Sequence, residues 1–194
     1  MLVRLGLTLA LFLSTAARGG EPYSPKPTTP TTETAASDAK LNAEVAGWLN
    51  ALDQADIDQA KFVMGKTANL EVKQFAEDQI STHTAMRKRT QTFLETHMLK
   101  AMESTRSTET LKMAKADLAS LQGLSGGELD RMWLGYVVAN AERAIDQIDA
   151  YLMAKVNNAE MRSLLAEDRS TCNASLDRAR KLGAMLEGKA TGTL

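Results

Sequence analysis

The sequence predicts an all-α protein whose main domain is an antiparallel four-helix bundle with a long crossover that contains a short helix. All four prolines lie between Pro22 and Pro30, and the long remainder of the chain is rich in good helix formers such as Ala, Leu, Met, Gln, Glu and Lys. Within that remainder, apolar residues recur at alternating steps of three and four, which is the period of one helix face. No stretch alternates as a half-buried strand would.

The first residues have the composition of a secretory signal peptide. Arg4 supplies a positive charge, and Leu5–Leu13 form a short apolar segment. The small residues that follow, up to Ala17, offer a site that a signal peptidase accepts. The apolar segment is far shorter than the roughly 20 residues that span a bilayer as a helix. We therefore expect cleavage near Ala17, export to the periplasm or the exterior, and no stable membrane anchor.

Composition divides the rest of the chain into three parts. Residues 18–37 contain the four prolines together with several threonines, so we expect a disordered linker there. The proline-free residues 38–187 are numerous enough to bury a core without a disulfide or a metal, and they are predicted to form the bundle. The glycine-containing residues 188–194 are predicted to be a frayed tail.

The first two helices are indicated by their apolar stripes and by a turn at residues 65–69. Asn69 can cap the second helix, because its side chain can accept hydrogen bonds from free amides. The segment from Asp53 to Asp56 is predicted to kink the first helix. The first stripe consists of Leu41, Val45, Trp48, Leu52, Ala55 and Phe62. The second consists of Val72, Phe75, Ala76, Ile80, His83, Met86, Phe93, Leu94 and His97.

The crossover and the last two helices follow. Between Lys100 and Gly127 the pattern weakens to a short amphipathic helix carried by Leu111, Ala114, Leu118 and Leu121. Ser125 and Glu128 have the spacing of a capping box, which predicts the start of the third long helix. Its stripe is Leu129, Trp133, Val137, Ala144, Ile148 and Leu152, with a break near Asn157 and Asn158. The fourth stripe is Met161, Leu164, Asp168, Cys172, Ser175, Ala179, Leu182 and Leu186.

The charge distribution argues against nucleic acid as a partner. The chain has 23 basic and 24 acidic residues scattered along its length, with a formal net charge of −1. A protein that binds a phosphate backbone normally carries a basic stripe. The one basic cluster here, residues 87–89, consists of sequence neighbours that point in different directions on a helix.

The metal ligands that a helical bundle often carries are absent from the sequence. Dinuclear carboxylate sites in such bundles use a Glu-x-x-His pair on each of two helices. Ile80 stands three residues before His83 and Leu94 three before His97, so neither pair exists. The two histidines lie roughly 21 Å apart along one helix, at about 1.5 Å per residue, and cannot share an ion. His83 lies on a buried stripe and is the single weak candidate for a metal ligand. A hydrogen bond to a neighbouring helix is the commoner role for such a histidine.

No catalytic or cofactor-binding residues are predicted. The chain has no nucleophile elbow, no phosphate-binding glycine loop and no dinucleotide fingerprint. Cys172 is the only cysteine, so no intrachain disulfide can form, and we expect it to be a small core residue.

The sequence resembles domain-of-unknown-function family 4142 over roughly residues 45–183. The residues that carry the resemblance are Ile57-Asp58, Phe75-Ala76, His83, Leu124-Ser125-Gly126, Leu129-Asp130, Trp133, Ser175-Leu176, Ala179 and Leu182. Members are exported ferritin-like bundles, commonly labelled outer-membrane proteins. The resemblance therefore implies a ferritin-like fold and an exported protein, and it implies no reaction.

This chain departs from that family at its histidines. Members often carry Asp-His in the second helix, a histidine in the third and His-Leu in the fourth. The corresponding residues here are Thr82-His83, then Asn140 or Ala141, then Ser175-Leu176. Only His83 is retained.

These observations favour a non-enzymatic exported envelope protein with a binding or structural role, built on a bundle in which no polar residues converge. Two alternatives stay open. One is a mononuclear metal or small-ligand binder that uses His83 with carboxylates from other helices. The other is a helical module that binds an unknown protein partner through an exposed face rich in methionine, of which the chain has ten. A polar pocket around His83 would favour a ligand, and an exposed apolar patch would favour a partner.

Overall fold

A computed structural model describes residues 32–191, with side chains through residue 188. Every regular element in that range is helical, which confirms the predicted all-α class. The elements are α1 (Thr32–Met64), α2 (Leu70–Thr96), α3 (Thr105–Gln122), α4 (Gly126–Gln147), a π-helical turn (Ile148–Leu152), α5 (Met153–Lys155) and α6 (Ala159–Thr191). The π-helical turn and α5 continue α4, and the break before α6 falls at the predicted asparagines.

The bundle consists of α1, α2, α4 with its continuation, and α6, while α3 is the helix of the predicted crossover. α1 packs chiefly on α2, and α4 packs chiefly on α6. α1 and α4 touch only sparingly, and α3 lies over the gap between them. The Trp48 indole N–H donates to the Thr110 hydroxyl at 3.2 Å, and Lys66 donates to the Gln122 carbonyl at 3.2 Å. These two bonds show that α3 runs parallel to α1 and covers the open side of the bundle.

Two predicted boundaries differ from the structure. α1 begins at Thr32, inside the predicted linker, and α6 extends to Thr191, inside the predicted tail. Residues 32–37 are exposed, so packing does not explain why they are helical, and local propensity does. Pro30 is the last proline of the chain, so no proline interrupts a helix that begins after it. The predicted signal peptide, residues 18–31 of the linker and residues 192–194 lie outside the described residues. The aspartates of α1 do not interrupt that helix.

The predicted caps have different outcomes. The Asn69 side chain accepts hydrogen bonds from the amides of Glu71 and Val72 at 3.0 and 3.2 Å, as predicted. Ser125 is the N-cap residue of α4 but makes no side-chain capping bond, so the capping box predicted there is wrong. The reason is Gly126, whose φ of 56° places the first residue of the helix in the left-handed region and changes where the first amides point.

The core contains two apolar clusters that follow one another along the bundle axis. The first is built around Trp48, Leu49, Phe93, Ile148 and Leu165. The second is built around Val72, Phe75, Leu121, Leu129 and Trp133. Cys172 belongs to the first cluster and is buried, as predicted. Buried polar residues of α1, α2 and α6 lie where the two clusters meet, and they form the site described below.

Gly47 allows the loop before α3 to lie directly on α1. The Met102 amide donates to the Ala43 carbonyl at 2.9 Å, and a Cβ on Gly47 would lie 2.0 Å from the Met102 carbonyl oxygen. We expect Gly47→Ala to lower the free energy of unfolding by about 2 kcal/mol, because backbone must move to relieve the clash. Gly135→Ala in α4 is the matched control. Nothing lies within 4 Å of its added Cβ, so this change should raise the free energy of unfolding by about 0.5–1 kcal/mol. Urea unfolding measures both, and equal stability of the two variants would contradict this account.

Candidate functional site

A cluster of buried ionisable side chains lies in the middle of the bundle, contrary to the expectation that no polar residues converge. His83 is contributed by α2, Asp53 and Asp56 by α1, and Asp168 by α6. The side chains of His83 and Asp53 are 2% and 0% exposed, and that of Asp56 is 18% exposed. Asp168 is 1% exposed as a residue. Such groups are seldom buried unless they are paired, so their convergence requires an explanation.

Hydrogen bonds fix His83 from both sides. Its Nδ1 lies 2.7 Å from the Asp53 carboxylate, and its Nε2 lies 2.9 Å from the Gln79 side-chain oxygen. The Gln79 amide nitrogen donates to the Ser175 hydroxyl at 2.7 Å, so its oxygen is left to accept from the histidine. Asp56 adds a carboxylate 3.6 Å from the same Nε2. Both ring nitrogens therefore face acceptors, which is the pattern expected of a doubly protonated imidazolium.

The pKa values of the cluster follow from burial and from these charges. Burial acts to lower the pKa of His83, but Asp56 and Asp53 outweigh it and raise that pKa from 6.5 to about 9. Burial raises the pKa of Asp56 to about 6 and that of Asp168, which also faces Asp53, to about 8. At pH 7 these pKa values make His83 cationic, Asp56 ionised and Asp168 protonated. Burial also raises the pKa of Asp53, and the hydrogen bond with His83 opposes that rise.

Asp168 and Asp53 keep oxygens that have no hydrogen-bond partner among the described residues. Both oxygens of Asp168 and the Oδ2 atom of Asp53 are in this position. A buried acceptor without a partner costs about 1–3 kcal/mol. These buried oxygens therefore lower the stability of the folded protein.

His83 makes the hydrogen bond to a neighbouring helix that its buried position predicted. Because Asp53 and Gln79 engage both of its ring nitrogens, neither nitrogen points to an open coordination position. Within residues 32–188, no three His, Cys, Asp or Glu side chains are arranged to hold a metal ion. His97 lies elsewhere and pairs with Glu160 at 2.8 Å in an exposed position.

A cleft of about 600 Å³ lies between α1, α3 and the α4 segment, by which we mean α4 and the π-helical turn that continues it. This volume is within the range of small-molecule sites, about 300–1,000 Å³. Its apolar lining residues include Trp48, Leu52, Ala55, Met113, Ala114 and Ala144. Its polar lining residues include Glu44, Glu103, Arg106, Glu109, Thr110, Asn140, Arg143, Gln147 and Tyr151. The cleft exists because α1 and α4 stand apart and α3 covers the space between them.

Side chains of the α4 segment hold two arginines at this cleft. The Nε–H group of Arg106 donates to the Gln147 oxygen at 2.7 Å, and its guanidinium lies 4.6 Å from the centre of the Tyr151 ring. Arg143 donates to the Asn140 oxygen at 2.9 Å. Tyr151 belongs to the π-helical turn, a feature that often marks functional sites in helices.

The cleft and the buried cluster adjoin. A cavity of about 10 Å³ beside His83 is lined by Asp56, Gln79, Asn140 and Ser175, among others. That volume is about the least that holds one water molecule. Leu52 and Asn140 line both this cavity and the cleft, so they form the wall that separates the cleft from the charged layer.

Sequence reasoning identified His83 but missed its partners and the cleft. The sequence pattern predicts a kink from Asp53 to Asp56 and places Asp168 on an apolar stripe, whereas in the structure these carboxylates belong to the buried cluster. A carboxylate at a stripe position was the available signal, because a buried charge needs a partner on another helix. The cleft left no such signal, since it depends on the spacing of α1 and α4.

The exposed methionines do not support a single methionine-rich face. Met98 and Met102 are exposed in the loop that packs near the start of α3, whereas Met132 is exposed near the start of α4. Because α4 runs antiparallel to α3, these positions lie at opposite ends of the bundle. Met86 and Met161 are buried, as predicted.

Comparison with known proteins agrees with the resemblance found in the sequence. Residues 26–182 match the family described as Domain of unknown function (DUF4142). The structure resembles that of a DUF305 protein from Streptomyces coelicolor, described as secreted, with a TM-score of 0.65 and 15% sequence identity over 76% of this chain and 94% of that chain. At this identity the likeness bears on the fold alone. No curated protein matches the sequence. In the part of the chain that the structure describes, no helix is both long and apolar enough to cross a bilayer.

Proposed function

We propose, for a chain that belongs to the DUF4142 family, that this protein is an exported, non-enzymatic binder of a small molecule held in the cleft between α1, α3 and the α4 segment. The observation that carries the proposal is the cleft itself, with about 600 Å³ of volume and both apolar and polar lining residues. A ligand pocket typically combines these two kinds of lining.

The buried cluster supports a binding role in an indirect way. His83 lies behind Leu52 and Asn140 and has both ring nitrogens engaged, so a ligand in the cleft would touch the wall in front of it. We infer that the cluster holds α1, α2 and α6 in fixed positions beneath the cleft. This assigns His83 a structural role rather than a direct contact with the ligand.

Export is the second part of the proposal. The charged start, the short apolar segment and the small residues up to Ala17 support cleavage of a signal peptide and release into the periplasm or the exterior. Residues between that point and α1 would then connect the mature N-terminus to the bundle.

Blocking the cleft tests the binding role. The full chain, Ala114→Trp and Ala116→Trp are each incubated with the small-molecule fraction of the native cells, washed, and extracted for mass spectrometry. Ala114 lines the cleft, whereas Ala116 is exposed on another side of α3, so both carry the same added ring at different places. We expect the unchanged chain and Ala116→Trp to retain the same compound and Ala114→Trp to lose it. The proposal is wrong if all three proteins return the same compounds, or none.

A further inference from the structure

The two arginines of the cleft have neutral side-chain partners, whereas four arginines on the outer faces of the bundle pair with carboxylates. Arg89, Arg169, Arg178 and Arg180 each pair with a carboxylate on a neighbouring helix or segment. Arg106 and Arg143 instead donate to neutral side-chain amides. Among the described residues, neither of these two guanidinium groups is within ion-pair distance of a carboxylate.

Hydrogen bonds nevertheless orient both guanidinium groups. Arg106 is held by Gln147 and by Tyr151, so part of its guanidinium is engaged and the rest is left to donate. Asn140 donates its amide nitrogen to Asp117 at 3.3 Å, which orients its oxygen to accept from Arg143. Neutral amides orient a guanidinium without cancelling its charge. A guanidinium presented in this way suits a planar anionic group with two oxygens.

The remaining lining defines the rest of the ligand. The apolar lining residues favour a ligand with a hydrocarbon or aromatic part next to Trp48 and Met113. Three glutamates also line the cleft: Glu44 pairs with Lys40 at 3.7 Å, and the charges of Glu103 and Glu109 equal those of the two arginines. The lining therefore has no excess of positive charge to attract a second negative charge on the ligand. A single carboxylate therefore fits better than a phosphate.

We propose that the ligand of this cleft is a small amphipathic carboxylate, whose anionic group binds Arg106 and Arg143 and whose apolar part packs against the Trp48 side. The inference rests on the proposed binding function, which it makes chemically specific.

Four probes of similar shape test the ligand class. They are 3-phenylpropionate, 3-phenylpropan-1-ol, 2-phenylethylamine and 2-phenylethyl phosphate, titrated into the full chain and followed by backbone amide chemical shifts. For a ligand of this size, typical ligand efficiency gives a dissociation constant of about 4 mM. We expect the carboxylate to shift amides of α1, α3 and α4 and to bind about tenfold more tightly than the alcohol or the amine, with the phosphate weaker than the carboxylate.

Three variants test the residues. Arg106→Gln and Arg143→Gln should each weaken carboxylate binding about tenfold and change alcohol binding less than about twofold. Arg180→Gln, which removes an arginine from an outer ion pair, should change neither. Because the two cleft variants are independent, misfolding of one leaves the other as a test.

The outcomes separate the two proposals. If the alcohol, the amine or the phosphate binds in the cleft as tightly as the carboxylate, or if both cleft variants bind the carboxylate normally, the ligand class is wrong and the binding function stands. If no probe shifts the cleft amides at concentrations up to about 10 mM, both proposals are overturned.

Discussion

Replacing His83 with alanine is expected to lower the free energy of unfolding by about 3–5 kcal/mol at pH 7. The imidazolium lies between Asp53 at 2.7 Å and Asp56 at 3.6 Å, and its removal leaves two aspartates without the cation that offsets their burial. A domain of this size has a total stability of about 5–15 kcal/mol, so the variant should be close to unfolding. Urea unfolding of the full chain measures the loss.

The matched control is His97→Ala. His97 also pairs with an acidic residue, Glu160, but both side chains are partly exposed, and such a pair contributes about 0–1 kcal/mol. Adding Asp53→Asn to His83→Ala should recover part of the loss, because it removes one of the unpaired charges. Equal losses for the two histidine variants would show that the buried layer is not held by the charge of His83.

The second large effect is a fall in stability as the pH rises from about 5 to about 9. Asp168 has a pKa of about 8 in the folded protein against 3.8 in the unfolded chain, so the folded state binds more protons between these values. The folded state also binds more protons at Asp56 between pH 3.8 and about 6, and at His83 between pH 6.5 and about 9. Stability falls with pH wherever the folded state binds more protons, by about 1.4 kcal/mol per pH unit for each full proton.

At the acid end the trend should reverse. Arg178 lowers the pKa of Asp78 by donating a hydrogen bond to its carboxylate, and Arg169 does the same for Asp149. A lowered pKa stabilises the fold above the unfolded value and is lost as the pH falls, so stability should decrease again below about pH 4. The maximum is therefore expected on the acid side of neutrality.

Asp168→Asn isolates the largest part of this dependence. The amide needs no proton to remain neutral, so the variant should equal the unchanged chain near pH 4 and exceed it in stability at pH 8, with a shallower slope between. Denaturant unfolding at several pH values provides the measurement. A stability that rises from pH 5 to pH 8 in the unchanged chain would refute the assigned protonation states.

The fold was largely predictable because its signals are local. The apolar stripes, the cap at Asn69 and the weak pattern of the crossover each depend on residues close in sequence. The structure confirms the cap and buries most stripe residues of the four bundle helices, whereas Leu111 of the crossover stripe is 46% exposed. The capping box predicted at Ser125 is absent for a local reason too. It requires helical geometry at the residue after the serine, and Gly126 has a left-handed backbone conformation.

The site was less predictable because it depends on the register between helices. His83, Asp53 and Asp168 belong to three different helices, and only their packing places them in one layer. Asp168 stood at a stripe position beside ordinary apolar residues, and nothing nearby in the sequence shows which charge it faces. The π-helical turn that places Tyr151 at the cleft likewise has no local signature that distinguishes it from the α-helix around it.

The position of α3 at the surface of the bundle has a kinetic consequence. Of its residues only Ser107 and Leu121 are buried, so we expect this helix to detach at a lower free energy than global unfolding. α3 also covers the cleft, and a molecule can enter while it is detached. We therefore expect the association rate of a ligand to follow the frequency with which α3 opens, whereas its dissociation also depends on the contacts made within the closed cleft.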